Sequence, residues 1–150
     1  MKEIIKLGLI LLFTCAVAAT CLGVSNDLTK DQIAYQRESV NEKARVEILP
    51  DATEFKALDE AKLKEIQAEN DKIAEVYIGY KDGEVIGYTF KSLPSGYGGA
   101  LEVITGIDGN GVVSGVRIGS HQETPGLGGN AQLPSFYNQY DGKATDKHIA

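Results

Sequence analysis

The chain has 150 residues, 43% of them hydrophobic and 24% charged, the size of one ordinary globular domain with an apolar addition. A formal charge of -6 with no basic run excludes a nucleic-acid partner, because that affinity rests on Lys and Arg neutralising phosphates. Both cysteines, Cys15 and Cys21, fall in the N-terminal apolar stretch, so the remainder offers neither a disulfide framework nor a thiolate metal site. As free thiols they read as small lipid-facing or helix-packing residues.

Lys2 and Lys6 precede 18 uncharged residues, Leu7 to Val24. At about 1.5 Å per residue this run nearly spans the hydrocarbon layer of a bilayer. It reads as a membrane anchor over residues 1–25. The competing readings are a cleaved signal peptide, with Ala16-Val17-Ala18 as the small-residue cleavage pattern, and a lipoprotein, although neither cysteine follows a Leu-small-small sequence. Asp27 and Asp31 follow the run with only Lys30 between them. The positive-inside rule therefore leaves the N-terminus in the cytoplasm and exports the rest as a single-pass protein.

Residues 26–70 read as a helical connector. Thr29 and Gln32 have the spacing of a capping box ahead of Ile33, Val40, Ala44 and Ile48, and Pro50 ends that helix. Ala57 to Asn70 carries Leu58, Ala61, Leu63, Ile66 and Ala68 among Lys and Glu, which suits a surface helix with one buried stripe.

Strands follow. Ile73–Tyr80 and Glu84–Lys91 flank Lys81-Asp82-Gly83, and an Asp-Gly step between β-rich runs is a strong hairpin signal. Leu101–Ile107 and Val112–Gly119 repeat the plan around Asp108-Gly109-Asn110-Gly111. A short helix begins near Pro134 and Ser135, with Phe136, Tyr137 and Tyr140 as its larger residues. The fold class is α+β: an N-terminal transmembrane helix, then a small domain of antiparallel β-hairpins with flanking helices, over residues 71–150.

Two loops could carry chemistry. Gly96, Gly98 and Gly99 permit close backbone approach to a phosphate, or simply a tight turn. They form neither a Walker A loop nor a dinucleotide fingerprint. His121-Gln122-Glu123-Thr124-Pro125-Gly126-Leu127-Gly128-Gly129 gathers an imidazole, a carboxylate and a hydroxyl at the end of a strand, and alternation would place His121 and Glu123 on one side if the strand continued. A hydrolase would draw on His121 with Ser120 or Thr124, but no third triad member stands out. A metal site would draw on His121, Glu123 and His148, without the spacing of a zinc helix. No metal site and no catalytic residue are assigned. Tyr77, Tyr80, Tyr88 and Tyr97 could stack on a planar ligand or serve as cross-strand packing.

The anchor, the stretch from Gly96 to Asp108 and above all His121-Gln122-Glu123-Thr124-Pro125-Gly126-Leu127-Gly128 resemble the FMN-binding domain shared by the G subunit of Rnf electron-transport complexes and the C subunit of sodium-translocating NADH:quinone reductases. Acidic composition and a short loop after the second hairpin favour the Rnf member. The resemblance implies a membrane-anchored flavoprotein subunit relaying electrons in an ion-translocating ferredoxin:NAD oxidoreductase complex, not a stand-alone enzyme. It implies other membrane subunits as partners, lipid around the N-terminal helix, and FMN held covalently through a threonine on the outer side of the membrane, where the protein sets the potential. Carried over as flavin-bordering residues are Glu123, Thr124, Gly126, Leu127 and Gly128, with Tyr97 and Gly98. The family's D-x-x-S/T-G-A-T attachment motif is missing. The nearest string, Gly142-Lys143-Ala144-Thr145, has Lys143 where Gly is required and Gln139 where Asp is required, so Thr145 is not assigned and the chain is expected to be a fragment, incomplete at its C-terminus. The alternatives are an anchored extracytoplasmic scaffold without its own redox cofactor and an extracellular flavoprotein reductase working alone.

Overall fold

A computed structural model describes residues 2–145. Helix α1 (Lys2–Ile48) runs unbroken from the apolar stretch through the polar one. No Gly or Pro lies between Val24 and Leu49 to stop it. The capping box expected at Thr29 does not form: the Thr29 hydroxyl donates to the Ser25 carbonyl at 2.8 Å, the back-bonding of a hydroxyl in mid-helix. The backbone groups divide into two compact units, one ending at Glu38 and one beginning at Ser39. In the first, the helix is long and apolar enough to cross a membrane.

The second unit holds a five-stranded antiparallel meander, β1 (Glu54–Ala57), β2 (Ile73–Lys81), β3 (Glu84–Ser92), β4 (Val103–Asp108) and β5 (Val113–Ile118), in the order of the chain. Both expected hairpins form, and β3 also pairs with β4. The class is α+β, as the sequence predicts. Within the stretch read as a helical connector, β1 adds an edge strand, and α2 (Glu60–Glu69) is correspondingly shorter than expected. Its N-cap is Asp59, whose side chain accepts the Ala61 N–H at 2.9 Å.

The last turns of α1 supply the core. Ile48 is 1% exposed and packs with Ala44, Leu49 and Ile104, flanked by Ala52 and Phe55. The sheet admits the helix because its facing residues are small. Gly79, Gly87, Gly106 and Gly115 meet Leu49 or Ile48 across strands β2 to β5, and a Cβ on Gly106 would fall well inside contact distance of the Ile48 γ-methyl. Polar groups share this face. Arg45, itself buried, lays its guanidinium 3.9 Å from the Tyr77 ring centroid, and Lys91 pairs with Glu75.

The opposite face is covered in two patches. Leu58 and Ile66, the latter from α2, lie over Val76, Ile78 and Tyr88, leaving a groove of about 490 Å³. Beyond β5, α3 (Pro134–Tyr137) and two 3-10 turns (Gly128–Gln132, Asn138–Tyr140) close over Val103, Val113 and Val116. After Tyr140 the chain returns to the start of β5, where Ala144 bridges Val112.

Candidate functional site

The β4–β5 hairpin has two differently built ends. At the turn end, the Asp108 carboxylate accepts N–H groups from Asn110 at 2.9 Å and Val112 at 3.0 Å. These bonds, the one to Val112 foremost, hold the Asp108 carboxyl below the usual carboxylate range against the opposing effect of burial. At the other end two glycine-rich loops meet, and the carried-over residues gather there.

The first loop is a tight turn. Ser95 bridges Ala100, the Gly96 N–H donates to the Gly99 carbonyl at 2.7 Å, and Leu101 N–H closes onto Pro94 at 2.9 Å. Tyr97 stands at its tip, 100% exposed. The second loop leaves β5 at Ile118 and is irregular, so the strand alternation expected through His121 and Glu123 does not continue. Instead His121 Nδ1 accepts the Glu123 N–H at 3.1 Å. The Thr124 carbonyl accepts from Leu127 and Gly129, each at 3.1 Å, which folds Thr124-Pro125-Gly126-Leu127 into a turn with Gly126 at φ +78°. Leu127 is left 76% exposed. Asn130 Nδ2 donates to the Gly126 carbonyl at 3.1 Å, and Gln132 Nε2 ties the segment back to Gly119 at 3.2 Å.

The loops join at Glu123, whose Oε1 accepts the Gly98 N–H at 2.9 Å. The structure thus brings together Tyr97, Gly98, Glu123, Thr124, Gly126, Leu127 and Gly128. Beside them lies a feature that periodicity had not marked, an apolar cavity of about 370 Å³ between Leu101, Val103, Ile118, Ala131, Phe136 and Tyr140. The Phe136 and Tyr140 rings meet edge to face at 6.1 Å.

The other candidates separate. Among the described residues no group of three His, Cys, Asp or Glu could hold a metal ion, and His148 lies outside the described residues. Tyr77 packs under Arg45, Tyr80 under Lys56 at 5.0 Å, and Tyr88 lines the α2 groove. Thr145 donates its hydroxyl to the Gly111 carbonyl at 2.7 Å. That places it at the turn end, one six-residue strand or about 20 Å from the paired loops.

The FMN-binding domain family matches residues 96–150, a span that holds both loops. The chain is 40% identical over 154 residues to the G subunit of the Na(+)-translocating ferredoxin:NAD(+) oxidoreductase complex of Acetobacterium woodii, covering 99% of this chain and 74% of that one. The chain belongs to the G-subunit family. The G subunits of the ion-translocating oxidoreductase complexes of two further organisms are 35% identical in Vibrio vulnificus, over 89% of this chain and 64% of the relative, and 33% in Aliivibrio fischeri, over 85% and 63%. The chain therefore spans about three quarters of the first relative and slightly under two thirds of the other two. With the apolar α1 helix, it is a membrane-anchored member of the G-subunit family.

Proposed function

We propose that this chain is the FMN-carrying, electron-relaying subunit of an Rnf-type ion-translocating ferredoxin:NAD oxidoreductase complex, held in the bilayer by α1 and working beside the other membrane subunits. One observation carries the reading: the FMN-binding match lies over two loops, distant in sequence, that the fold joins at Glu123 and Gly98.

The residues suit a flavin. Tyr97 and Leu127 expose an aromatic and an aliphatic side chain that a planar ring would cover. Gly126, with nothing near where a Cβ would stand, keeps the backbone beside Leu127 open to close approach, and the exposed Thr124 adds a hydroxyl. Bound FMN supplies reversible uptake and release of electrons; the protein's part is to orient it and surround it with fixed dipoles. Lys2 and Lys6 before the apolar run, against Asp27 and Asp31 after it, support a cytoplasmic N-terminus and a sheet domain outside the cytoplasm. Covalent retention through a threonine suits that side of the membrane, where no cytoplasmic flavin pool replenishes a loosely held cofactor.

The test is to express the complete reading frame with its flavin transferase and examine the denatured protein for in-gel flavin fluorescence, locating any adduct by mass. A fluorescent band carrying FMN on a threonine is expected. A dark, colourless protein would overturn the reading and leave an anchored scaffold whose loops only contact neighbouring subunits.

A further inference from the structure

The Glu123 carboxylate occupies an unusual place for a residue of a ligand loop. It is half-buried, and it fills the space left by two glycines, one from each loop. A Cβ on Gly96 would collide with Oε1, and a Cβ on Gly128 would collide with Oε2 while lying 3.0 Å from the Glu123 Cβ. Oε1 also accepts the Gly98 N–H. Next to it the two backbones touch directly, since a Cβ on Gly98 would run into the Gln122 carbonyl and come 3.3 Å from the Glu123 nitrogen. One carboxylate therefore contacts both neighbours of Tyr97 and the residue that follows Leu127. Its own backbone is pinned by the bond to His121 Nδ1.

We infer that Glu123 is a positioning residue: its carboxylate clips the Gly96–Gly99 turn to the Thr124–Gly128 turn and so fixes the outward presentation of Tyr97 and Leu127, without facing the flavin itself. This rests on the flavin reading above. A carboxylate that faced the ring would act through its charge, disfavouring electron uptake by the bound flavin. A clip acts through reach and through one acceptor oxygen, because its partner is an uncharged backbone N–H. The two roles predict opposite rankings of the same substitutions.

Glu123→Gln keeps the length and an acceptor oxygen for Gly98 while removing the charge. Glu123→Asp keeps the charge but is one methylene too short to reach. Full-length protein in detergent, with and without flavin, is compared by amide hydrogen exchange at Gly98 against the interior strand amide of Thr89, and by the flavin's absorption spectrum and reduction potential. Exchange at Gly98 is expected to rise roughly tenfold in Glu123→Asp and Glu123→Ala, with a shifted spectrum, while Glu123→Gln stays at the wild-type values and Thr89 is unmoved in all three. Gly96→Ala, which evicts the carboxylate without altering Glu123, is expected to reproduce Glu123→Ala. A wild-type-like Glu123→Asp together with a shifted potential in Glu123→Gln would overturn the inference. Failure of the flavin reading is seen separately, as wild-type protein that takes up no flavin; the Gly98 exchange then still decides whether the clip exists.

Discussion

The two ends of the β4–β5 hairpin use one chemical device to different effect. At the turn, the Asp108 carboxylate accepts backbone N–H groups two and four residues away. At the other end, the Glu123 carboxylate accepts a backbone N–H 25 residues away. The local version closes on itself, and its glycines serve only to let the chain reverse, Gly111 at φ +76°. The distant version joins two loops and leaves Tyr97 and Leu127 standing outward. Glycine-rich sequence alone does not mark a site; the range over which the carboxylate reaches does.

The hairpin that both ends share is the most costly place to intervene. Gly106→Ala should lose about 3 kcal/mol in urea denaturation, since overpacking a filled core costs typically 1–3 kcal/mol or more and the new methyl has only Ile48 and Ser114 to displace. The sharpest contrast between the ends is Gly98→Ala against Gly109→Ala. The first puts a Cβ into the Gln122 carbonyl and should separate the loops, read as lost Gly98 exchange protection. The second meets nothing nearer than the Ile86 carbonyl at 3.5 Å and should stay within about 0.5 kcal/mol of wild type. Equal effects would break the comparison. Gly111→Ala should cost about 1 kcal/mol through its positive φ.

The smallest effect is a pH dependence. Because the folded-state Asp108 carboxyl lies below its ordinary range, its contribution is present above the unfolded value of about 3.9 and is lost as pH falls through the folded one. Asp108→Asn should therefore be less stable than wild type near neutrality and converge with it in acid, measured as urea midpoints across the acid range.

Much of this was legible in the sequence. The Asp-Gly steps announced both hairpins, and the uncharged run announced the membrane helix. The unbroken α1 was not, because Thr29 and Gln32 carry a cap's spacing while nothing between Val24 and Leu49 forces a stop. Nor was β1, four residues with little burial, whose strand character comes from pairing with β2 and not from its own pattern. For the site, Glu123, Thr124, Gly126, Leu127 and Gly128 were named through the Glu-Thr-Pro-Gly-Leu-Gly string. That Glu123 meets Gly98 depends on the β4–β5 register, which sets Val103 beside Ile118 and so brings the loop before β4 against the loop after β5, a juxtaposition that neither loop's sequence shows by itself.

Ile48 and Gly106 together occupy one fixed volume. A methyl added on the sheet needs the γ-methyl of the helix residue taken away, so Gly106→Ala combined with Ile48→Leu, which carries no branch at Cβ, should recover part of what Gly106→Ala loses. The two positions behave as a single site whose atoms happen to be shared between a helix and a strand 58 residues apart in the chain.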